Sequence, residues 1–247
     1  MNEKKIAVVT GASAGIGAAT AVALSRAGFH TVIGARREER LKRISGATGG
    51  EHRHLDVTDN SSVEEFVAGL ERVDVLVNNA GGALGLDRVE DAPEERWQEM
   101  WELNFMSTVR LTKALLPALL ATGDGLIVNV GSIAGFETYA GGGGYSAVKH
   151  AVRALTRTLR LELLGQAIRV TEICPGLVRT EFSLVRFDQD EAKAKAVYNG
   201  MTPLTGEDIA ECIAWVATRP SHVNIDEMVI RPRDQATATL VHRGGKN

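Results

Sequence analysis

Residues 6–17 of the chain read IAVVTGASAGIG, an apolar, β-branched run followed at once by a loop with three glycines. The run predicts a strand buried on both faces, and the glycines predict a tight turn into a helix. A helix N-terminus at such a turn offers free N–H groups and a positive dipole to a pyrophosphate. The alternative is a glycine turn that only packs the helix against the strand. The residues expected to contact a dinucleotide here are Gly11, Ser13, Gly15, Ile16 and Gly17.

Composition excludes several classes of protein. The 247 residues are 44% hydrophobic and 24% charged, which is ordinary for a globular protein and excludes a disordered or collagen-like chain. The net charge of -3 gives no electrostatic reason to expect nucleic acid or an anionic membrane as a partner. Glycines interrupt the uncharged stretch 6–25 too early for a signal peptide or a membrane span. Cys174 and Cys212 suggest neither a disulfide framework nor a zinc site, so we expect a cytoplasmic protein without a metal.

Short apolar runs alternate with longer stretches of helical period. The predicted strands span residues 4–10, 30–34, 51–56, 73–78, 125–131, 167–174 and 226–230. The predicted helices span residues 15–27, 37–45, 60–70, 94–121, 145–164 and 207–218. This alternation predicts a Rossmann-type α/β fold, a doubly wound parallel sheet of seven strands with helices on both faces. Short connections predict one domain over residues 1–247, with a lid at about 180–203.

Further motifs follow the glycine loop in a fixed order. They are Asn78-Asn79-Ala80-Gly81 after the fourth predicted strand, Ser132 after the fifth, Tyr145 with Lys149 in a helix, and Pro175-Gly176 after the sixth strand. Together with residues 10–17, these motifs resemble the short-chain dehydrogenase/reductase family over nearly the whole chain. The resemblance implies an oxidoreductase with a nicotinamide dinucleotide and a small-molecule substrate.

The same resemblance assigns further residues to the cofactor. It places Asp56 and Val57 along the adenine and Asn79 at the adenosine ribose, although Asp56 could instead cap the helix that follows. The residues that it places at the nicotinamide end are Tyr145, Lys149, Pro175, Gly176, Val178 and Thr180. It also implies a homo-oligomer, a dimer or a tetramer, in which the two long helices pair.

Two arginines follow the second predicted strand, which ends Ile33-Gly34-Ala35. An acidic residue at this point would accept bonds from a ribose hydroxyl and repel a 2′-phosphate, whereas Arg36 and Arg37 would do the opposite. The alternative is that both arginines are only solvated, although cations are mildly disfavoured beside a helix N-terminus. The sequence therefore predicts NADP rather than NAD.

Tyr145 and Lys149 are one helical turn apart, so their side chains share one face of a helix. Reduction of a carbonyl leaves an alkoxide that must be protonated, and a phenol with a pKa of about 10 does this poorly unless its anion is stabilised. Lys149 supplies a stabilising charge, and Ser132 would hold the carbonyl oxygen. By resemblance, Asn104 holds a water that relays protons to Lys149. We predict these four residues as the catalytic set; a structural Tyr, a surface Lys and a capping Asn are the alternatives.

The predicted lid contains Arg186 between apolar residues, in the run Glu181-Phe182-Ser183-Leu184-Val185-Arg186-Phe187. The planar fork of an arginine suits a carboxylate. The alternative is that Arg186 pairs with Asp188, Asp190 and Glu191 or only shields the lid. The lid run, with residues 139–142 and 221–225, is similar to the NADP-dependent 3-hydroxy acid (serine, allo-threonine) dehydrogenases of the family. We therefore expect a small 3-hydroxy acid or β-hydroxy amino acid, held by Ser132, Tyr145 and Arg186.

Two other features bear on the pocket. Gly141 to Gly144 form a run where the similar enzymes carry a bulkier residue, which predicts a looser wall and a larger substrate. Trp97 and Trp101 are expected to pack at a helix interface rather than to contact substrate.

Two other functions stay open. The first is an NADPH-dependent carbonyl reductase that uses the same chemistry on a neutral or secondary-metabolite ketone or aldehyde. The second is a sensor that binds NADP without turnover. The intact catalytic set argues against the sensor, because a sensor has no use for a poised phenol.

Overall fold

A parallel β-sheet organises the structure, a computed structural model that describes residues 4–244. The strands are β1 (Ile6–Thr10), β2 (His30–Ala35), β3 (Glu51–His54), β4 (Val75–Asn78), β5 (Gly125–Val130), β6 (Ile168–Pro175) and β7 (Glu227–Ile230). They form one 7-stranded sheet in the order β3-β2-β1-β4-β5-β6-β7, and every neighbouring pair is parallel. The order reverses between β1 and β4, the switch point at which open α/β sheets bind ligands. The predicted doubly wound fold is confirmed.

Helices cover both faces of this sheet. They are α1 (Gly15–Arg26), α2 (Glu38–Thr48), α3 (Asn60–Val67), α4 (Glu94–Met100), α5 (Ser107–Leu120), α6 (Gly143–Glu162), α7 (Phe182–Arg186), α8 (Glu191–Ala196) and α9 (Gly206–Ala217). The single helix predicted over 94–121 is wrong in one respect, since the π-helical segment Trp101–Met106 separates α4 from α5. A 3-10 helix, Ile133–Gly135, follows β5. In the described part of the chain, every helix is too short or too polar to cross a membrane.

Apolar residues on the two faces of the strands fill two cores. Val9 packs with Leu24 of α1 in the core that also includes residues of α2 and α9. Its neighbour Val8 packs with Phe66 of α3 and Leu115 of α5 in the other core. Adjacent residues belong to opposite cores because successive side chains of a strand point to opposite faces. This burial on both faces explains the continuous apolar run from which the sheet was predicted.

The predicted lid contains two short helices, α7 and α8. Asp188 and Gln189 lie between them with φ of 50° and 68°, so the chain turns sharply there through the left-handed region. Ser183 of α7 and Ala194 of α8 are buried, and the hydroxyl of Tyr198 donates a hydrogen bond of 2.9 Å to the carbonyl of Val178. These contacts hold the lid against the carboxyl edge of the sheet.

A glycine in β2 provides a test of how tightly the core is packed. A Cβ atom at Gly34 would lie 2.6 Å from the ring of Phe66 and 2.8 Å from Leu55. We expect Gly34→Ala to lower the free energy of unfolding by about 1–3 kcal/mol, measured by urea denaturation, because buried side chains must move apart.

The matched control is Gly46→Ala in α2, where a Cβ atom would meet nothing within 4 Å. Alanine is favoured over glycine in a helix interior, so this variant should gain about 0.5–1 kcal/mol. Equal stability of the two variants would contradict the tight packing at Gly34.

Candidate active site

The glycine loop between β1 and α1 leaves the N-terminus of α1 open. Gly11 and Gly15 have φ of 65° and 56°, which glycine adopts more readily than other residues. Ala14, which precedes α1, makes no side-chain capping bond, so no cap side chain satisfies the first N–H groups of α1. Ser13 is buried beside them. The loop therefore fits the pyrophosphate of a dinucleotide.

Hydrogen bonds join this loop to the end of β4. The side-chain amide nitrogen of Asn79 donates to the backbone carbonyls of Thr10 at 2.9 Å and Gly11 at 3.3 Å. The hydroxyl of Thr10 accepts from the backbone N–H groups of Asn79 and Ala80, each at 3.0 Å. A Cβ atom at Gly17 would lie 2.5 Å from the Asn79 amide nitrogen. Gly17 therefore lets α1 pack against Asn79, a role in addition to the predicted cofactor contact.

Arg37 is joined to the glycine loop and to the lid. Its Nε donates to the hydroxyl of Ser13 at 3.0 Å, and its Nη1 pairs with Glu181 at 2.7 Å. Arg40, in the first turn of α2, pairs with the other carboxylate oxygen of Glu181 at 2.6 Å. The hydrogen bonds from Arg37 and then Arg40 hold the pKa of Glu181 below its ordinary value. Sequence reasoning missed Arg40 and Glu181, although the spacing of Arg37 and Arg40 on one helix is visible in the sequence.

Arg36, the other predicted arginine, lies close enough to Asp56 for its charge to act on that carboxyl group. Burial alone would raise the pKa of Asp56, but hydrogen bonds from Thr58 and the charge of Arg36 outweigh it and lower the pKa. The backbone N–H and the hydroxyl of Thr58 donate to Asp56 at 3.0 and 2.7 Å. The residue that caps α3 is Asp59, so the alternative that Asp56 caps the next helix is wrong. Val57, predicted at the adenine, is largely buried.

The structure brings Ser132, Tyr145 and Lys149 together at the carboxyl end of β5. Lys149 is buried in α6, and its Nζ donates a hydrogen bond of 2.9 Å to the carbonyl of Val130, the last residue of β5. The same Nζ lies 5.7 Å from the centroid of the Tyr145 ring. Ser132 caps the 3-10 helix by accepting a bond of 3.1 Å from Ala134. The three predicted side chains therefore share one edge of the sheet.

Burial shifts the protonation of the two titratable groups in this set. It raises the pKa of Tyr145 above its ordinary value, and Tyr139 adds to the effect. A hydrogen bond with Ser132 and the charge of Arg186 act in the opposite direction. Burial also lowers the pKa of Lys149 to about 8, against the charge of Glu172, which raises it. Lys149 therefore titrates close to neutral pH, and the charge that faces Tyr145 depends on pH.

Asn104 lies in the π-helical segment and is almost fully buried. Its amide nitrogen donates to the carbonyls of Gly82 at 2.9 Å and Met100 at 2.8 Å, and its amide oxygen accepts from Gly82 at 3.2 Å. A Cβ atom at Gly81 would lie 2.7 Å from that oxygen and 3.6 Å from Nζ of Lys149. Asn104 is thus on the Lys149 side of the site. Both N–H groups of its side-chain amide donate within the protein, so its amide oxygen is the atom that retains a lone pair for a water.

The segment after β6 returns to the glycine loop. Pro175 ends β6, and Gly176 donates its N–H to β7 at 2.7 Å. Val178 forms a parallel bridge with the loop before α9. A Cβ atom at Gly15 would lie 3.1 Å from the side chain of Thr180. This segment therefore flanks the glycine loop from the side of β6.

Arg186, in the lid, faces Tyr145. Its Nε donates to the carbonyl of Gly85 at 3.0 Å, and its Nη2 donates to the hydroxyl of Tyr139 at 2.9 Å. Its guanidinium carbon lies 5.8 Å from the centroid of the Tyr145 ring.

The acidic residues that follow Arg186 have other partners. Asp188 pairs with Arg96 at 3.0 Å, and Asp190 caps α8 by accepting from the N–H of Lys193. The alternative in which Arg186 pairs with these acidic residues is therefore wrong for Asp188 and Asp190.

The pocket around Tyr145 and Arg186 has an apolar wall formed by Leu84, Trp97 and Met100. Met100 occupies the space that a Cβ atom at Gly144 would need, and Trp97 would lie 3.1 Å from a Cβ atom at Gly143. Tyr139 similarly fills the space beside Gly142. The expectation of a looser wall at Gly141 to Gly144 is therefore wrong, because large side chains pack directly on the glycines.

The two tryptophans differ in their surroundings. Trp97 lines the pocket, which corrects the expectation that it only packs a helix interface. Trp101 stacks on Phe105 with ring centroids 4.4 Å apart and keeps 42% of its surface exposed.

Comparisons with known proteins agree with this geometry. A family model described as short chain dehydrogenase matches residues 5–191. An uncharacterized oxidoreductase of Mycobacterium tuberculosis is 60% identical over 236 residues, covering 96% of this chain and 94% of the relative. The NADP-dependent 3-hydroxy acid dehydrogenase of Salmonella typhi is 44% identical over 246 residues, covering 96% of this chain and 99% of the relative. The closed form of a serine dehydrogenase complexed with NADP+ has a TM-score of 0.91 at 41% identity, covering 96% of this chain and 99% of that chain.

The contacts of Arg37 and Arg40 with Glu181 lead to a prediction about cofactor choice. Two guanidinium groups that share Glu181, one of them bonded to Ser13, suit a 2′-phosphate, and a hydrogen bond to a charged group is worth about 1.5–3 kcal/mol. We expect Arg37→Ala to weaken NADPH binding roughly tenfold to a hundredfold and to leave NADH binding nearly unchanged, measured by fluorescence titration.

The control for this variant is Arg43→Ala. Arg43 is exposed on the same helix, and its Nε contacts a backbone carbonyl of α2. Its removal changes the net charge equally but should leave both affinities as they are. An equal loss of NADPH and NADH affinity in Arg37→Ala would exclude Arg37 as the phosphate ligand.

Proposed function

The chain belongs to the short-chain dehydrogenase family, and we propose that it is an NADP-dependent oxidoreductase of small 3-hydroxy acids or β-hydroxy amino acids. The observation that carries the choice of substrate is Arg186, whose guanidinium lies 5.8 Å from the Tyr145 ring in one pocket. A 3-hydroxy acid carries its hydroxyl and its carboxylate a few bonds apart, which matches a phenol and a guanidinium that share a pocket. We propose that Arg186 binds the carboxylate and that Tyr145 and Ser132 bind the hydroxyl oxygen.

Both this chain and its relatives support NADP as the cofactor. Arg37 is bonded to Ser13, beside the uncapped N-terminus of α1, and shares Glu181 with Arg40. The relative from Salmonella typhi is named NADP-dependent, and the serine dehydrogenase structure contains NADP+. When bound, the nicotinamide accepts a hydride from the alcohol carbon or donates one to the carbonyl carbon.

Side chains of this protein accept or donate the proton that accompanies the hydride. During oxidation of the alcohol, the phenolate of Tyr145 accepts the hydroxyl proton as the carbon loses its hydride and becomes a carbonyl. The ammonium group of Lys149 stabilises that phenolate, and Ser132 holds the substrate oxygen by a hydrogen bond. During reduction, the phenol returns the proton to the alkoxide. We propose that Asn104 positions a water through which Lys149 exchanges protons with solvent.

A second candidate substrate follows from the apolar wall. Leu84, Trp97 and Met100 face the pocket, and such a surface favours a neutral ketone or aldehyde. The alternative function is therefore an NADPH-dependent carbonyl reductase with the same catalytic residues. Turnover with serine, 3-hydroxyisobutyrate and simple alcohols separates the two, and the absence of turnover with every carbonyl would favour the NADP sensor.

We further propose that the chain is a single oxidoreductase domain with the lid at 180–203, and that it forms a cytoplasmic homo-oligomer, a dimer or a tetramer. Within the described residues, Cys174 and Cys212 are free thiols, which suits a reducing compartment. The half-exposed Trp101 beside Phe105 gives an apolar surface between α4 and α5 that a second copy could cover.

The role of Tyr145 leads to a prediction for a variant that lacks one oxygen atom. Tyr145→Phe removes the proton donor and keeps the ring that packs edge-on against Phe182 at 5.4 Å. Turnover should fall roughly a hundredfold to ten-thousandfold, while NADPH affinity stays close to that of the unmodified protein. The assignment fails if Tyr145→Phe retains more than about a hundredth of the activity.

Arg186 leads to a prediction that separates the two substrate classes. Arg186→Leu should lower kcat/KM for 3-hydroxy acids roughly tenfold to a hundredfold, because a charge-assisted bond worth about 1.5–3 kcal/mol is lost. The value for a neutral ketone should change little.

Arg179→Leu serves as the control, since Arg179 is an exposed arginine of the same connection. It should leave both kcat/KM values unchanged. An equal loss on acids and neutral ketones in Arg186→Leu would show that Arg186 supports the lid rather than binding a carboxylate.

A further inference from the structure

A carboxylate of the lid, Glu181, binds the two arginines that suit a 2′-phosphate. One of its oxygens lies 2.7 Å from Nη1 of Arg37, and the other lies 2.6 Å from Nη1 of Arg40. The two guanidinium groups thus converge on the oxygens of one anion. A phosphate presents the same kind of acceptor to arginine as a carboxylate does. Glu181 therefore gives both arginines the kind of ligand that a 2′-phosphate would give them.

Arg37 has little capacity left for a second anion. A guanidinium binds an oxyanion at two points through its Nε–Nη2 edge or its Nη1–Nη2 edge. Nε of Arg37 donates to the hydroxyl of Ser13 at 3.0 Å, and Nη1 donates to Glu181 at 2.7 Å. Each edge therefore contains one nitrogen that is already engaged. A two-point bond from Arg37 to a phosphate requires that Ser13 or Glu181 give way.

The charge of Glu181 makes it the group that gives way. Hydrogen bonds from Arg37 and Arg40 hold the pKa of Glu181 below its ordinary value, so this carboxyl group is ionised at neutral pH. Two anions that share one pair of cations repel each other, whereas the neutral hydroxyl of Ser13 can rotate and donate to a phosphate.

The ion pairs of Glu181 are also open to exchange. The side chains of Glu181, Arg37 and Arg40 are 39%, 47% and 41% exposed, so water and an incoming ligand reach them. Ion pairs this exposed are individually weak. A phosphate can therefore replace the carboxylate without breaking a buried contact.

The backbone around Glu181 is held by other groups. Glu181 precedes α7, and its side chain makes no capping hydrogen bond to that helix. The side chain of Thr180 lies against the glycine loop, and the ring of Phe182 packs edge-on against Tyr145 with centroids 5.4 Å apart. A change of the Glu181 side chain alone should therefore leave this segment in place.

We propose that Glu181 is a specificity-determining residue, which competes with the 2′-phosphate of NADP(H) for Arg37 and Arg40. The carboxylate and the phosphate exclude each other at the two guanidinium groups. The affinity for NADPH is therefore lower than the arginines alone would give, whereas the affinity for NADH does not depend on this exchange. The inference rests on the proposed function in one respect, since that function assigns the 2′-phosphate to these arginines.

The decisive experiment compares cofactor binding in Glu181→Gln with that in the unmodified protein, by fluorescence titration. Glutamine keeps the length of the side chain and removes its charge. NADPH should bind roughly threefold to thirtyfold more tightly, a factor of the size expected when two exposed ion pairs no longer compete. NADH affinity should change little. Unchanged or weaker NADPH binding would overturn the proposal, because Glu181 would then either not compete or hold the arginines in place.

Glu191→Gln is the matched control. Glu191 is an exposed acidic residue in the first turn of α8, in the same lid. The side-chain contacts of Arg37 and Arg40 in the described chain go to Ser13 and Glu181 instead. The control changes the net charge equally and should leave both affinities as they are. An equal gain in the two variants would show a general effect of net charge and contradict the competition.

A double variant distinguishes competition from simple repulsion. In Arg37→Ala one of the two shared guanidinium groups is absent, so the addition of Glu181→Gln should raise NADPH affinity by a smaller factor than in the unmodified protein. Repulsion through space between the carboxylate and the phosphate would give an equal or larger factor. An equal or larger factor would therefore overturn the proposal.

The same variants separate this proposal from the assignment of the phosphate site. If Arg37→Ala alone leaves NADPH binding unchanged, both the assignment and the competition are wrong. If Arg37→Ala weakens NADPH binding but Glu181→Gln does not strengthen it, the assignment stands and only the competition is wrong. These measurements require neither turnover nor a known substrate.

A shorter ligand locates the effect along the cofactor. 2′,5′-ADP carries the 2′-phosphate without a nicotinamide, and ADP lacks the 2′-phosphate. Calorimetric titration of Glu181→Gln should show a gain in affinity for 2′,5′-ADP by about the same factor as for NADPH, and little change for ADP. A gain confined to NADPH would place the effect at the nicotinamide end and overturn the proposal.

A second neutral variant guards against misfolding. Glu181→Ala removes the carboxylate together with its side chain and should also strengthen NADPH binding. Either folded variant, identified by circular dichroism and thermal unfolding, suffices for the titrations. If neither variant folds, Glu181 is needed for the stability of the fold, and the proposal is overturned.

Discussion

The active site depends on the hydrogen bond that the buried ammonium group of Lys149 donates to the backbone. This hydrogen bond of 2.9 Å to the carbonyl of Val130 ties α6 to the last residue of β5. Tyr145, one turn earlier on the same face of α6, is thereby held beside Ser132, which follows β5. Moving an ammonium group out of water is costly, so the fold must supply compensation at this point. The hydrogen bond to the carbonyl of Val130 supplies part of it.

A second constraint joins the lid to the proposed phosphate site. Glu181, just before α7, contacts Arg37, just before α2, and Arg40 within α2. A carboxylate and a phosphate present similar acceptors to a guanidinium fork. Because the same two arginines serve the lid and suit the 2′-phosphate, the position of the lid and the occupancy of that site are physically linked. These ion pairs are about half exposed, so each contributes little to stability and can rearrange readily.

The sequence was sufficient for those features that depend on local chain geometry. The β1 strand, the glycine loop and α1 follow from a continuous pattern, and helical spacing alone puts Tyr145 and Lys149 on one face. The pairing of Arg37 with Glu181, by contrast, joins residues 144 positions apart, and no local period reports it. Likewise, Glu172 is one of three polar residues in β6, with Arg169 and Thr171, and no local pattern shows that α6 and β7 bring Arg153 and Glu227 to it. The π-helical turn at 101–106 is also invisible in a helical pattern, since its residues have ordinary helix-forming character.

The pocket combines a fixed cation with a rigid wall. The guanidinium of Arg186 already donates to Gly85 and Tyr139, so its orientation is set before a ligand arrives. An arginine held in this way loses little side-chain freedom on binding a carboxylate, and the loss of freedom is a large part of the cost of binding. Trp97 and Met100 line the pocket and pack on Gly143 and Gly144, which leaves this wall of the pocket little room to adjust. Glycine at these positions therefore does not loosen the site; it lets Trp97 and Met100 approach α6 closely.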